Sequence, residues 1–142
     1  MPLLPRKSIL AITAVIDIAL NARGRPVAAK ALATRHSLPP RHLEPVLQAL
    51  VREGILKGVR GPRGGYELAR DRRRITAEDI LRAAGTDDEV DGVPHAQSSL
   101  LSKVVLPALG QAEHAFSEAL ARINVEDLVE SAEDLRKRSR ES

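Results

Sequence analysis

One stretch of sequence decides the fold of this chain: Arg60-Gly61-Pro62-Arg63-Gly64-Gly65-Tyr66-Glu67-Leu68-Ala69. Its first six residues are three glycines, a proline and two arginines, a composition typical of a tight turn. The run at residues 55–60 before the turn and the alternating run at residues 66–69 after it predict two short strands. The stretch therefore predicts a β-hairpin with a basic tip.

Three helices are predicted before this hairpin, over residues 6–21, 28–36 and 40–53, with a turn at residues 37–40. Apolar residues at spacings of three and four define the predicted buried face of the first helix: Ile9, Ile12, Ile16 and Leu20, widened by Leu10, Val15 and Ile18. In the third helix the predicted buried face is Leu43, Val46, Leu47 and Leu50.

Two prolines fall in the predicted third helix. Pro40 is expected in its first turn, where the missing N–H costs nothing. Pro45 is expected within the first turn or just past it, with little damage to the helix. The order helix, helix, turn, helix, β-hairpin is that of a winged helix-turn-helix, a mainly helical α+β fold. In such a unit the helix after the turn enters the DNA major groove, and the hairpin, or wing, reaches the backbone or minor groove.

Further helices are predicted after the hairpin. Thr76 and Asp79 have the spacing of a capping box, and the helix that they begin is expected to end at Gly85. Residues 98–122 form a long predicted helix that Pro107 either kinks or begins, and Asn124 is the expected N-cap of a last helix to about Lys137, followed by a fraying tail. We therefore expect a DNA-binding domain at residues 1–85, an acidic loop at 86–97 and a further helical region at 98–142.

The composition excludes several kinds of site. Among 142 residues there is no cysteine, which excludes disulfides, thiolate nucleophiles and cysteine-ligated zinc or iron–sulfur centres. One tyrosine, one phenylalanine and no tryptophan are too few for an aromatic surface that stacks nucleic-acid bases. Phosphate-binding glycine motifs and the zinc-protease motif are also missing, so we expect no enzymatic activity.

A modest net charge of +3 hides two halves of opposite sign. Residues 1–85 contain 16 Lys and Arg against 7 Asp and Glu, a net charge of +9, whereas residues 86–142 contain 6 against 12, a net charge of −6. Clustered cations neutralise DNA phosphates and release their counterions. The basic half is therefore predicted to face DNA, through Arg35, Pro40, Arg41, His42, Gln48, Lys57, Arg60, Arg63 and Gly64. For Arg72, Arg73 and Arg74 a DNA contact and an ordinary surface position stay equally open.

The hairpin sequence resembles the wing signature R-G-x-x-G-G-Y-x-L-A of the Rrf2 family of winged-helix transcription regulators, to which IscR, NsrR and CymR belong. Shorter matches occur at Asp17-Ile18-Ala19, Leu43-Glu44, Ile75-Thr76 with Asp79-Ile80, and Ile123-Asn124-Val125-Glu126-Asp127-Leu128. The resemblance covers residues 7–85 well and residues 108–130 more weakly.

This resemblance implies a homodimer that binds double-stranded DNA at a palindromic operator. It places Arg41 and His42 at the start of the recognition helix and Arg60 in the minor groove. It also makes the helix at 98–122 the dimerisation helix, with Leu101, Val105, Leu109, Ala112, Phe116 and Ile123 as the contact residues, although the same stripe would suit a core within one chain.

The chain departs from the family pattern in two places. His42 stands where the family usually has tyrosine, and Pro39 and Pro40 stand where small hydroxyl residues are common, so base preference does not transfer. Cluster-binding members carry three cysteines after the fourth helix, where this chain has acidic residues and His95. A solvated acidic loop is favoured there over a manganese or magnesium site, so we predict no metal and no cofactor.

The apolar run at residues 9–20 contains Asp17 and is shorter than the roughly 20 residues of a membrane-spanning helix. We therefore expect a cytoplasmic protein with no membrane partner. The sequence as a whole predicts a homodimeric, sequence-specific transcriptional repressor. A regulator controlled by a protein partner or a small-molecule effector, and an interaction module that has lost DNA binding, are the alternatives.

Overall fold

The structure is a computed structural model that describes residues 6–22, 24–85, 100, 103–104 and 106–141. Its helices are α1 (Arg6–Asn21), α2 (Ala29–Arg35), α3 (Pro40–Arg52), α4 (Ala77–Ala84), α5 (Leu106–Ala121) and α6 (Val125–Glu141), and a 3₁₀ turn covers Arg72–Arg74. The strands are β1 (Leu56–Val59) and β2 (Gly65–Leu68). This order confirms the predicted mainly helical, winged helix-turn-helix fold. Up to α4 the element ends differ from the prediction by one or two residues. Helix α5 begins at Leu106 instead of residue 98, so that Pro107 lies in its first turn, and α6 ends at Glu141 instead of about Lys137. Within the described ranges, no helix is both long and apolar enough to cross a membrane.

The buried face of α1 is only partly the predicted one. Val15 and Ile18 are completely buried, as predicted, but they share the face with Ala11 and Ala14, which were not predicted. Ile9 is 44% exposed, and the other four predicted positions are only partly covered. Apolar residues surround most of this helix, so their spacing alone cannot select a face. The small side chains of Ala11 and Ala14 allow α3 and α4 to pack closely, and this close packing decides which face is buried.

Helix α3 has the buried face that the sequence predicts. Leu43, Val46, Leu47 and Leu50 are at most 2% exposed. Pro40 is the first residue of the helix, and the helix continues without a break through Pro45. Pro45 therefore removes one backbone donor without ending the helix, as predicted.

The wing consists of β1, the turn at residues 60–64 and β2. Its strands are antiparallel, with Leu56 opposite Leu68 and Val59 opposite Gly65. The Gly64 N–H donates to the Gly61 carbonyl at 2.9 Å and closes the turn. A two-stranded hairpin alone is marginally stable, so its position depends on the elements that it contacts.

An isolated antiparallel bridge between Val27 and Tyr66 anchors the wing to the connection between α1 and α2. The Val27 N–H donates to the Tyr66 carbonyl at 2.9 Å, and the Tyr66 N–H donates to the Val27 carbonyl at 2.8 Å. The backbones approach so closely that a Cβ at Gly65 would lie 2.4 Å from the Val27 carbonyl oxygen and 2.7 Å from the Ala28 nitrogen. Glycine at position 65 is therefore a condition for this contact.

The C-terminal helices join the same core. Val125 and Val129 of α6 are completely buried with the residues of α1. The Val125 N–H donates to the Ile75 carbonyl at 2.9 Å, and the Ala77 N–H donates to the Ile123 carbonyl at 2.8 Å. These paired backbone bonds fasten the start of α6 to the start of α4.

The predicted helix caps are present. Thr76 and Asp79 form the reciprocal capping box of α4, and the Asn124 side chain accepts from the Asp127 N–H at 2.9 Å. The expectation that residues 136–142 fray was wrong for residues 136–141, because α6 continues to Glu141. Acidic residues in its first turn and arginines in its last turn complement the helix dipole and account for the extra length.

Replacing Gly65 by alanine tests whether the close contact with Val27 positions the wing. We expect the Gly65→Ala variant to lose about 1–3 kcal/mol of unfolding free energy, the usual cost of forcing an extra methyl into a packed site. Gly58→Ala is the matched control, because a Cβ at Gly58 in β1 meets no atom within 4 Å. Urea unfolding of both variants measures the difference, and equal stabilities would contradict the account.

Candidate nucleic-acid interface

The exposed side of α3 carries the predicted base-reading residues. Arg41 and His42 lie in its first turn, and Gln48 lies almost two turns further on; all three side chains are exposed, as is Pro40. The first turn contains no acidic residue, so the partial positive charge of the helix N-terminus adds to that of Arg41. This side of the helix can offer donors to an anionic or acceptor-rich surface.

The wing presents its cations to solvent. Arg60 and Arg63 are exposed, and neither has an ion-pair partner within the described part of the chain. Lys57 is also exposed, but its Nζ lies 3.6 Å from Glu67 Oε2 on the opposite strand. The free charge of the wing is therefore concentrated at its tip.

Gly64 has a structural reason to be glycine. A Cβ at this position would lie 2.2 Å from the Val59 carbonyl oxygen and 2.9 Å from the Gly61 carbonyl oxygen. Any side chain would open the turn, which sets the direction of Arg60 and Arg63. Gly64 therefore allows the tight turn of the wing, and Gly65 allows the close contact that anchors the wing to Val27.

Arg35 occupies a different environment from the other predicted DNA-binding residues. Its Nε and Nη2 donate to the two carboxylate oxygens of Asp17, at 3.0 and 2.7 Å. His36 Nε2 lies 2.6 Å from Asp17 Oδ2, and Asn21 Nδ2 donates to Asp17 Oδ1 at 3.2 Å. Asp17 is 5% exposed, so a buried carboxylate of α1 holds the end of α2.

These contacts change the ionisation of Asp17. Burial alone would raise the pKa of the carboxyl, because it disfavours the charged form. The hydrogen bonds from Arg35, His36 and Asn21, together with the charge of Arg35, outweigh burial and lower the pKa of Asp17 below its ordinary value of 3.8. The same pairing raises the pKa of Arg35. Asp17 is therefore ionised at neutral pH.

The arginines that follow the wing divide into two groups. Arg72 Nε lies 2.7 Å from Glu126 Oε2 of α6, which gives Arg72 a structural contact. Arg73 is 4.0 Å from the same oxygen and its side chain is 78% exposed, and Arg74 is exposed. Arg73 and Arg74 therefore keep a cationic surface that DNA could use.

Most of the predicted dimerisation stripe lies on or next to α5. Leu101 and Val105 fall outside the described residues, and the side chain of Leu109 is not described. Ala112 is exposed, Phe116 is half-buried and Ile123 is 39% exposed. Further large apolar residues are exposed in this half of the chain: Leu100, Val104 and Leu135, at 66%, 57% and 69%.

Two residues of the basic half of the chain are not among the site residues predicted from sequence. A lone acid in a buried helix indicates a paired carboxylate, and this signal could have identified Asp17. Arg25 lies in the connection between two helices, where no sequence pattern marks it. In the structure it lines a cleft together with Arg35 and Arg63.

Comparison with known proteins gives a family match over most of the chain. Residues 4–131 match the model of the Rrf2 family, which is described as an iron-dependent transcriptional regulator. The HTH-type transcriptional regulator slr0846 of Synechocystis sp. is 34% identical over 128 residues, which are 88% of this chain and 86% of the relative.

Solved structures show the same architecture. The T. potens IscR structure superposes with a TM-score of 0.74 at 28% identity and covers 93% of this chain and 89% of the other. CymR, the global cysteine regulator of B. subtilis, gives a TM-score of 0.72 at 27% identity, with 92% and 98% covered. Both neighbours have the winged-helix fold that is described above.

The iron in the family description can be tested against the residues present. This sequence has no cysteine, so a cysteine-ligated iron–sulfur cluster has no ligands. In the described ranges no three His, Asp or Glu side chains are grouped so that they could share a metal ion. His95 and the neighbouring acids, the weaker metal alternative, lie outside those ranges. The residues do not fit a cysteine-ligated cluster.

Asp17 gives a pH-dependent prediction. At neutral pH Asp17→Asn should lose about 1.5–3 kcal/mol of unfolding free energy, the range for hydrogen bonds to charged groups. Because the folded-state pKa is lowered, this stabilisation is present above the ordinary pKa and is lost as the pH falls through the lowered value. The gap between wild type and variant should therefore narrow below about pH 4.

Urea unfolding from neutral to acidic pH measures this gap. Asp134→Asn, at an exposed position of α6, is the control and should follow the wild type at every pH. A gap for Asp17→Asn that stays constant down to acidic pH would show that the ionised carboxylate is not the source of the stabilisation.

Proposed function

Because the chain belongs to the Rrf2 family of transcriptional regulators, we propose that it is a cytoplasmic, homodimeric repressor that binds a palindromic operator without an iron–sulfur cluster. The family consists of DNA-binding regulators and not of enzymes, in agreement with the prediction from sequence. One observation carries the proposal. The first turn of α3 and the wing tip both expose cationic side chains, and the wing that carries its tip is held in place by the Val27–Tyr66 backbone hydrogen bonds.

The proposed DNA contacts divide by chemistry. Arg41, His42 and Gln48 are exposed on α3 and would meet base edges in the major groove, with Pro40 as the preformed first residue of that helix. At the wing tip, Arg60 would enter the minor groove, since a narrow groove attracts a guanidinium. The remaining wing residues, Lys57, Arg63 and Gly64, would contact the backbone.

Homodimerisation would place two such units on two half-sites. The support is the set of apolar side chains that α5 and its surroundings leave exposed in one chain, including Ile123 and part of Phe116. Exposed large apolar groups of this kind mark interaction surfaces. Leu101, Val105, Leu109 and Ala112 stay predicted members of this interface. We also propose the division of the chain into a DNA-binding domain at residues 1–85, a loop at 86–97 and a dimerisation region at 98–142.

A repressor without a cluster would respond to a small-molecule effector or to a protein partner that docks on the C-terminal helices, or would act without a signal. The exposed apolar groups there would equally suit such a partner. The number of chains bound to the operator tests the homodimer. Two chains per operator in the purified complex support it, and one chain per operator contradicts it.

The wing arginine gives the direct test of operator binding. On an operator selected from a random duplex library, Arg60→Ala should weaken binding by about 1–3 kcal/mol, the range for one well-placed base contact. Binding to an unselected duplex should change much less. Fluorescence anisotropy over a range of salt concentrations measures both affinities.

Arg138→Ala on α6 is the control, since it removes one exposed arginine far along the chain from the wing. Its operator affinity should equal that of the wild type. If selection enriches no sequence and the wild type binds every duplex alike, the chain is not a sequence-specific regulator. An unchanged operator affinity for Arg60→Ala would show that the wing does not read DNA.

A further inference from the structure

An open cleft of about 520 Å³ lies between the wing tip and the start of α2. Three arginines and three small residues define it: Arg25, Arg35 and Arg63, with Ala28, Ala31 and Gly64. None of the described residues that line the cleft is acidic. The arginines come from three separate elements, the connection after α1, the end of α2 and the wing turn, so their convergence is visible only in the folded chain.

The guanidinium groups of this cleft are available to a ligand. Arg25 and Arg63 are exposed and have no ion-pair partner within the described part of the chain. Arg35 is held differently, because its Nε and Nη2 face Asp17. This bidentate pairing fixes the plane of the guanidinium and leaves Nη1 without a partner among the described residues. Arg35 is thus a preoriented donor whose charge Asp17 largely balances.

The walls of the cleft indicate the class of ligand. Because these alanine and glycine residues are small, a bulky, charged ligand such as a nucleic-acid backbone has room to approach the protein closely. Arginine forks match the geometry of phosphate oxygens and bind them in preference to neutral groups. The lining lacks aromatic residues and large aliphatic residues other than Val27, so an apolar ligand would find little surface.

The cleft also has a fixed width. Its two sides are Val27 and Ala28 on one hand and the wing turn on the other. The two Val27–Tyr66 hydrogen bonds and the close contact at Gly65 lock these sides together. Because the backbone frame and the Arg35 guanidinium are already fixed, a bound phosphate has to order only the side chains of Arg25 and Arg63.

We propose that this cleft binds one phosphodiester group of the DNA backbone, with Arg25 as a contact residue beside Arg35 and Arg63. The inference rests on the proposed DNA-binding function and deepens it, because it adds a backbone clamp next to the wing tip. A phosphate contact positions the protein on the duplex and carries no base preference. A free phosphate ligand shares the same chemistry, so the experiment must separate the two sources.

The test is the salt dependence of binding to a mixed-sequence duplex. Each phosphate contact contributes about 0.9 to the slope of log affinity against log salt concentration. Arg25→Ala should therefore reduce the slope by about one and weaken binding by the same factor on selected and unselected duplexes. Arg25→Lys should keep most of the slope, and Arg138→Ala should match the wild type.

A second arm uses inorganic phosphate. The midpoint of thermal unfolding is measured in phosphate and in chloride at equal ionic strength, for wild type and Arg25→Ala. If phosphate stabilises only the wild type while the DNA salt slope is unchanged in the variant, the cleft holds a free phosphate, and the proposal is overturned. An unchanged slope with no phosphate effect overturns it as well.

Failure of the inference can be distinguished from failure of the proposed function. If the wild type finds no operator but Arg25→Ala still lowers the slope on a mixed-sequence duplex, the phosphate cleft stands and the sequence-specific regulator does not. If operator binding is specific and Arg25→Ala leaves the slope unchanged, the regulator stands and the cleft does not. A wild type that binds no DNA at all overturns both.

Discussion

Two backbone hydrogen bonds between Val27 and Tyr66 determine how the DNA-facing elements are arranged. They attach a marginal two-stranded hairpin to the connection between α1 and α2 through an isolated antiparallel bridge. Gly65 is the condition for this contact, since no side chain fits between it and Val27. The direction of the wing, the width of the arginine cleft and the position of α2 all follow from this close approach.

The second constraint is electrostatic. The basic half of the chain has to fold although it carries a net charge of +9. One acidic residue, Asp17, is buried there and receives hydrogen bonds from Arg35, His36 and Asn21. It ties the end of α2, just before the turn, to α1. The exposed cations on α3 and the wing tip are left without such partners among the described residues, so their full charge is available to DNA. Arg35 differs, because Asp17 balances most of its charge and leaves only its Nη1 as a donor.

Local chemistry made much of the fold predictable from sequence. The glycine-rich turn, the capping box at Thr76 and the N-cap at Asn124 are each decided by neighbouring residues, and each is present. The buried face of α1 was only partly predictable. Val15 and Ile18 are buried as predicted, but apolar residues surround the helix, and close packing at Ala11 and Ala14 selects the rest of the face.

The site was less predictable than the fold, since it depends on contacts between distant residues. Arg35 and Asp17 are 18 positions apart, and Arg72 and Glu126 are 54 apart. A sequence pattern shows that these residues are charged but does not show which of them are paired. For the same reason the cleft with Arg25 becomes visible only when the wing is placed beside α2.

The most direct test of the account is amide hydrogen exchange of the full chain with and without a bound duplex. If DNA covers the start of α3, the wing and the arginine cleft, as proposed, exchange should slow at residues 25–28, at residues 41–42 and at residues 60–65, with no change at residues 136–141 of α6. Protection confined to α5 and α6, with the wing and the start of α3 unaffected, would contradict the assignment of these elements to DNA.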